Sequence, residues 1–307
     1  MIVVLGSLNM DLVTRVSRLP MKGETLTALG FHTVPGGKGA NQALAAARLG
    51  ADVRMIGRVG RDAYGEMLLA NLCADGADVS HVVLDSSAPT GMAFITVDTA
   101  GANTIVVYPG ANAHCSEEDV DACRSLISGA RVLIAQLEIP VETVEYAFEL
   151  ARASSVMTIL NPAPARKLPA ALLASTDLLI PNEVEAGLLS GMPVSDPDSA
   201  LRAAAHLREQ GPARVVITLG SKGAIYAGPE GTIHGHAFRV QAVDSTAAGD
   251  AFIGAWAAAW TRGAAISESL RYASAAGAAA TTTVGAQSSL PRPEQVLALL
   301  EQRSPSD

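Results

Sequence analysis

From residue 131 onward, short apolar runs alternate with helical patterns, and this rhythm restricts the possible folds more than any other feature of the chain. RVLIAQ (131–136), VMTILN (156–161), DLLIPN (177–182) and RVVITLG (214–220) read as strands. Helical patterns at 141–153, Glu183–Ser190 and Ala200–Gln210 lie between them. Apolar strands joined by helices belong in a parallel sheet covered on both faces. Upstream, IVVLGS (2–7) and DVRMIG (52–57) add strands, and Ala63–Ala74 adds a helix. The last third is helical, at about 249–262, 266–283 and 293–302, and the SPSD end is expected to fray. Two regions break the rhythm. Residues 12–34 alternate around Pro20, Lys22 and Gly23, and GMAFITV (91–97) and NTIVVY (103–108) flank DTAGA like a hairpin. The expected fold class is α/β: a doubly wound, mostly parallel sheet flanked by helices, with a small β-sheet lid formed by about 12–34 and 91–108.

Composition narrows the partners. The 307 residues carry a net charge of -8, with no long Lys/Arg run and no basic stripe, so nucleic acid is not an expected partner. A polyphosphate would have to be met locally, by backbone N–H groups, a few cations and metal ions. With aromatics at 4%, Ala, Val, Leu and Ile must do most of the packing. Cys73, Cys115 and Cys123 lack the spacing of a disulfide framework or a zinc site. The opening MIVVLGSLNMDLV reads as a first strand and not as a signal peptide, and no apolar run is long enough to span a membrane. The expected compartment is the cytoplasm.

Ligands of open α/β sheets sit beyond the carboxyl ends of the strands, and the motifs fall there. Asn9 and Asp11 follow the first strand; they can present donors and acceptors to vicinal hydroxyls, and alone they are as well explained by turn chemistry. Gly36-Gly37-Lys38-Gly39-Ala40-Asn41 opens a helix that stops at Gly50. Its glycines admit a ligand close to the backbone, but Gly39 after Lys38 departs from a P-loop and Gln42 departs from the Rossmann spacing. Asn182 and Glu185 could hold metal-bound water near phosphates, or form a capping box. Thr218–Gly223 makes a tight turn that either flanks a nucleotide or only joins two strands. Asp244-Ser245-Thr246-Ala247-Ala248-Gly249-Asp250 opens an apolar helix. Small residues there leave successive N–H groups bare for an anion, and Asp250 in the first turn can accept a proton from an attacking hydroxyl. The helix dipole should lower the pKa of Asp250. Glu138 follows RVLIAQL and can face the same cleft, or be a solvated loop acid. His234 and His236 read as a surface strand pair.

Taken together, GSLNMD, GGKGANQA, QLE, NPAPAR, PNEVEA, ITLGSKG, VQAVDSTAAGD and GAQSS, in this order from residue 6 to 289, resemble the ribokinase family of carbohydrate kinases. The resemblance implies one kinase domain over 1–307, with a lid often used in dimerisation, hence a homodimer. It implies ATP-dependent phosphorylation of D-ribose to ribose 5-phosphate, with another small sugar or a nucleoside as the alternative substrate. A non-catalytic sugar-binding regulator is a third reading, disfavoured by the intact Asp250, Lys38 and Gly249. By the family's pattern, Asn9, Asp11, Gly37, Lys38, Gly39, Asn41 and Glu138 would hold the sugar. Asp250 would be the base, and Ala247, Ala248 and Gly249 the anion hole. Asn182 and Glu185 would support Mg²⁺ and phosphates, and Thr218, Gly220, Ser221, Gly223 and Ser274 would line ATP. Asp244, Thr246, Ala280, Thr283, Gly285 and Ser289 would surround K⁺. Ala247 stands where many relatives have Gly, and Ser274 where an Asn is frequent.

Overall fold

A computed structural model describes residues 1–301; the SPSD end and the last expected helical residue, Gln302, lie outside the described residues. In chain order the first half comprises β1 (Ile2–Leu5), β2 (Asn9–Arg15), β3 (Gly30–Gly36), α1 (Lys38–Arg48), β4 (Val53–Gly60), α2 (Ala63–Ala74), β5 (Asp78–Asp85), β6 (Gly91–Val97), β7 (Asn103–Tyr108), α3 (Glu117–Ala122), α4 (Arg124–Ser128), β8 (Val132–Ala135) and α5 (Val141–Ala153). The second half comprises β9 (Met157–Leu160), α6 (Ala170–Ala174), β10 (Leu178–Leu179), α7 (Glu183–Ser190), α8 (Pro197–Glu209), β11 (Arg214–Thr218), β12 (Ala224–Gly228), β13 (Gly231–Gly235), α9 (Ala248–Thr261), α10 (Ile266–Ala280) and α11 (Pro293–Leu300).

Nine strands form one sheet in the order β13-β12-β11-β10-β9-β8-β1-β4-β5. All its pairings are parallel except β11–β12 and β12–β13. Side chains of a strand point alternately to opposite faces, and two cores result. Ile2, Val4, Val132, Ile134 and Val216 pack with α1, α9 and α10, whereas Val3, Leu5, Leu133, Ala135 and Val215 pack with α5 and α8. Strand β1 is buried on both sides, as a strand at the centre of a doubly wound sheet must be. From it the chain winds one way through β4 and β5 and the other way through β8 to β11. The order therefore reverses between β1 and β8, and ligands bind at such a switch point.

The lid is a second sheet, ordered β3-β2-β6-β7. Pairing is antiparallel for β2–β3 and β6–β7 and parallel for β2–β6. Its strands expose Phe31, Ile105 and Val106. The sequence pattern did not reveal β5, nor the β12–β13 hairpin that ends the sheet antiparallel. Strand β10 is only two residues long, and beyond it Ile180–Asn182 keeps single ladder contacts to Leu160 and Thr218 before Asn182 caps α7. His234 lies in β13 with its ring 4.5 Å from that of His236. No helix among the described residues is long and apolar enough to cross a membrane.

Helix α9 lies directly on α1, a contact set by small residues. A Cβ on Gly254 would stand 2.6 Å from the Cβ of Ala45 and 2.8 Å from both the Ala46 nitrogen and the Gln42 oxygen. Backbone cannot yield cheaply, so Gly254→Ala should force the helices apart. Overpacking of this kind costs about 1–3 kcal/mol. Denaturant unfolding is expected to show that loss as a lower midpoint with an unchanged slope.

Candidate active site

The site is built where α1 starts against the ends of β1 and β8. Gly37, at φ 90°, caps α1, and a Cβ on it would lie 2.6 Å from the backbone nitrogen of Asn9. A Cβ on Gly39 would lie 2.6 Å from the nitrogen of Ser7. These glycines therefore admit backbone to backbone, a packing role in addition to the ligand approach that the sequence suggests. The Asp11 carboxyl lies over Gly36, where a Cβ would be 2.5 Å from Oδ2. Glu138 is not a solvated loop acid: its Oε2 accepts from the Ser7 hydroxyl (2.5 Å), the Lys38 N–H (3.1 Å) and Asn9 Nδ2 (3.4 Å). Asn9 Oδ1 accepts from Asn112 Nδ2 at 2.8 Å, and Asn112 is itself tied to the Leu8 backbone. Sequence reasoning missed Ser7 and Asn112; a Ser and an Asn carry no distinctive local signal.

Asp250 occupies the first turn of α9 and is buried. Its Oδ2 accepts from Asn41 Nδ2 and its Oδ1 from Gln42 Nε2, both at 2.9 Å. Burial raises its pKa, and Glu138 adds to the rise; Lys38, Asn41 and Gln42 act the other way without cancelling it. The expected lowering by the helix dipole is thus overridden, because desolvation of a buried carboxylate is the larger effect. Burial alone would lower Lys38, yet the charges of Asp250, Glu138, Glu185 and Asp11 together raise it, so it is an ammonium. Burial, with Glu138 nearby, pushes Asp11 up to about 7, against the pull of Lys38. Glu185 is also raised by burial. Asn41 Oδ1 is buried without a partner among the described residues, an acceptor available to a hydroxyl.

On the far side of Asp250 lies a cleft of about 590 Å³. Thr218, Gly220, Ser221, Gly223 and Ser274 line it, as do Ala248 and Gly249. The turn 218–223 thus does both things expected of it, since it also joins β11 to β12. Ser274 Oγ is buried and unpartnered among the described residues. Of the proposed anion hole, the Ala248 N–H donates weakly to Ser245 O (3.2 Å), while the Gly249 N–H has no acceptor among the described residues. Ala247 sits at φ 59°, a left-handed conformation that costs a non-glycine residue about 1–2 kcal/mol. It shapes the turn and does not line the cleft. Asn182 and Glu185 form the capping box, each side chain accepting from the other's N–H (2.8 and 2.9 Å). The box also stands at the site: Asn182 bridges to Thr218, and the Glu185 carboxylate feels Lys38 and Asp250.

Beside the anion turn, Asp244 Oδ1 accepts from the Thr246 hydroxyl (2.6 Å) and N–H (2.9 Å), and Oδ2 from the Gly285 N–H (2.8 Å). Burial opposes its ionisation, but these donors hold its pKa below the ordinary value. Ser289 Oγ reaches Thr246 O at 3.4 Å. Ala280 and Thr283 lie in the turn closing α10, where the Thr283 N–H meets Ala280 O at 3.4 Å. The two loops are therefore side by side.

A buried base candidate between a polar pocket and a cleft entered by a helix N-terminus defines a phosphoryl-transferring α/β protein. Comparison with known proteins agrees. Residues 1–293 match the pfkB family carbohydrate kinase profile. The chain is 42% identical over 300 residues to the ribokinase of Haemophilus influenzae, covering 97% of each. It is 43% identical over 303 residues to a bifunctional ribokinase/ribose-5-phosphate isomerase A of Fructilactobacillus sanfranciscensis, covering 98% of this chain and spanning 56% of that protein. The solved structure of Arabidopsis thaliana ribokinase complexed with ribose and ATP superposes with a TM-score of 0.93 at 33% identity, covering 98% of this chain and 99% of that one. The chain belongs to the pfkB family of carbohydrate kinases.

Asp11 gives the site a pH dependence. Its carboxyl loses a proton near pH 7, and the ionised form is the stronger hydroxyl acceptor. Sugar affinity is expected to rise as pH increases through about 7, and Asp11→Asn should flatten that change in titration calorimetry. The sign reverses for stability of the free protein. A raised carboxyl pKa means that the folded state binds more protons, so this group's contribution falls as pH rises from 3.8 to about 7.

Proposed function

We propose that this chain transfers the γ-phosphoryl group of ATP to D-ribose, giving ribose 5-phosphate and ADP. The observation that carries the reading is the place of Asp250, buried between the polar pocket of Asn9, Asp11, Lys38 and Glu138 and the cleft lined by Ala248 and Gly249. Asn9, Asp11, Gly37, Lys38, Gly39, Asn41 and Glu138 hold the sugar. The sugar's 5-hydroxyl oxygen forms the new bond to the γ-phosphorus, and its proton passes to Asp250. The bond from that phosphorus to the bridging oxygen breaks, and its electron pair leaves with ADP. The raised pKa of Asp250 makes it a better base than an exposed aspartate. Lys38 and the Gly249 N–H face the charge on the transferred group. The first turn of α9, with Ala247 and Ala248, orients it. Thr218, Gly220, Ser221, Gly223 and Ser274 take the nucleotide. The whole chain acts as one kinase domain with its lid.

Among the described residues no three His, Cys, Asp or Glu side chains are grouped to hold a metal. Mg²⁺ would be held by phosphates and water, with Glu185 and Asn182 behind the water, a donor set that suits it. It would supply charge neutralisation on the phosphates. K⁺ would be held at the loop pair, where the Asp244 carboxylate accepts from Thr246 and Gly285 and where Ala280, Thr283 and Ser289 would add oxygens. Its charge would keep that turn ordered. The exposed Phe31, Ile105 and Val106 of the lid suit a homodimer, and the compartment we assign is the cytoplasm.

A sugar panel read by ADP release tests the substrate. A pocket with several buried polar groups rejects an analogue lacking a hydroxyl by about 1–3 kcal/mol per group. D-ribose should therefore give the highest kcat/KM, ahead of 2-deoxyribose. A nucleoside or fructose better by about tenfold would overturn the ribose assignment, and no ADP release with any sugar would favour a binding regulator.

The cation reading has its own measurement. Replacing Na⁺ by K⁺ at constant ionic strength should raise the rate severalfold, and Asp244→Ala should abolish the response. Equal rates in Na⁺, K⁺ and tetramethylammonium would leave Asp244 as a turn cap only.

A further inference from the structure

Asp250 is joined to a line of buried amide side chains to which no role has been given above. Gln42 Nε2 donates to Asp250 Oδ1 (2.9 Å) and to Asn161 Oδ1 (3.1 Å). Asn161 Nδ2 donates to the carbonyl oxygen of Ile180 (3.1 Å). Gln136 Nε2 donates to Gln42 Oε1 (2.7 Å). Gln42 and Gln136 are fully buried, and Asn161 nearly so.

The direction of every amide in this line is fixed by chemistry. An ionised carboxylate and a backbone carbonyl only accept. Gln42 must therefore turn its NH₂ toward Asp250, and Asn161 must turn its NH₂ toward Ile180. Asn161 Oδ1 is then left for Gln42, and Gln42 Oε1 requires a donor, which Gln136 supplies. The line ends on Gln136 Oε1, which has no partner among the described residues and lies where a Cβ on Gly6 would intrude. The unmet acceptor is thus left at the end remote from Asp250, and the donors are delivered to the carboxylate.

We propose that Gln42 is a positioning residue for Asp250: its amide, aligned by Gln136 and Asn161, fixes the plane of the carboxylate so that one oxygen faces the sugar hydroxyl. This inference rests on the reading of Asp250 as the base. Asn41 grips Oδ2 and Gln42 grips Oδ1, so the carboxylate is held by both oxygens from consecutive residues of α1. Asn41 keeps a free acceptor, Oδ1, whereas both ends of the Gln42 amide are taken by Asp250, Asn161 and Gln136. The charged groups facing Asp250 are Lys38 at the start of α1, Glu138 after β8 and Glu185 in α7. None of them is altered by a change at Gln42.

The test uses the full chain with Mg·ATP and ribose. Gln42→Met keeps the length of the side chain and removes the donor. We expect kcat to fall about 10- to 100-fold, with KM for both substrates within about threefold. The acid limb of the kcat–pH profile should move to higher pH, because a carboxylate that loses a donor holds its proton more tightly. Gln42→Glu, isosteric with the parent, should move the limb further, since two adjacent carboxyls then share one proton. Gln136→Met should lower kcat less, in the same direction. An unchanged kcat and limb in Gln42→Met would overturn the inference. So would a fall in kcat matched by a rise in KM with the limb unmoved, which is what a merely structural role predicts. If Gln42→Met does not fold, Gln42→Glu is read by the same criteria. Asp250→Asn separates the two failures. Loss of about 10²–10⁴-fold there, beside a normal Gln42→Met, removes the inference alone. Near-parent kcat in Asp250→Asn removes the base reading and the inference with it.

Discussion

A single ammonium, that of Lys38, sits among four carboxylates, and the site depends on that arrangement. Asp250, Glu138, Glu185 and Asp11 all act on it, and together they outweigh the burial that would otherwise neutralise it. Buried charges are tolerated only when paired and hydrogen-bonded. The excess of negative charge is moderated in two ways. Three carboxyls, Asp11, Glu185 and Asp250, have raised pKa values, and Glu138 is wrapped by the donors of Ser7, Asn9 and Lys38. On the proposed reading, an anion arriving at Lys38 would meet a partner already oriented, and a hydroxyl arriving at Asp250 a base already desolvated.

The surrounding fold delivers those charges to one point. Strands β1 and β8 are neighbours from which the chain winds in opposite directions, so the segments leaving them diverge and open a crevice. Helix α1 fills its floor, seated on glycines so close to Ser7–Asn9 that no side chain fits between. Helix α9 then crosses α1 through Gly254, Ala45 and Ala46, which brings its first turn over the start of α1. The low aromatic content is part of the same design. Ala-on-Ala packing brings helix axes close together, and only close axes let Asn41 and Gln42 both reach one carboxylate. The lid grows from the site itself, since Asn9 and Asp11 are residues of β2.

Much of this was legible in the residues. The alternation of apolar strands with helices announced the parallel sheet, and the two irregular regions announced the lid. GGKGAN and AAGD stood out by their small residues, although the structure gives the glycines of GGKGAN a packing role as well. Other features were hidden for definite reasons. DVSHVVLD, in β5, has too mixed a pattern to separate from a loop. The two functions of Asn182–Glu185 and of Thr218–Gly223 cannot be told apart by type, because the same atoms that cap a helix or close a turn also stand at the cleft. The pKa of Asp250 was misjudged from the helix dipole, which is local, whereas the burial that decides it comes from elements far along the chain.

By itself, the sequence determined the fold class, most of the central strands and helices, and the motifs from Asn9 to Ser289 that mark the family, because hydrophobic period and glycine or alanine placement act over a few residues. Only the tertiary structure decided which groups share a charge environment. Gln42, Gln136, Asn161 and Asp250 stand up to 208 residues apart along the chain, yet form one hydrogen-bonded line. Amide side chains have no period and no charge by which to be noticed. Their meaning comes from direction, and direction is fixed only when an acceptor-only carboxylate is folded against them.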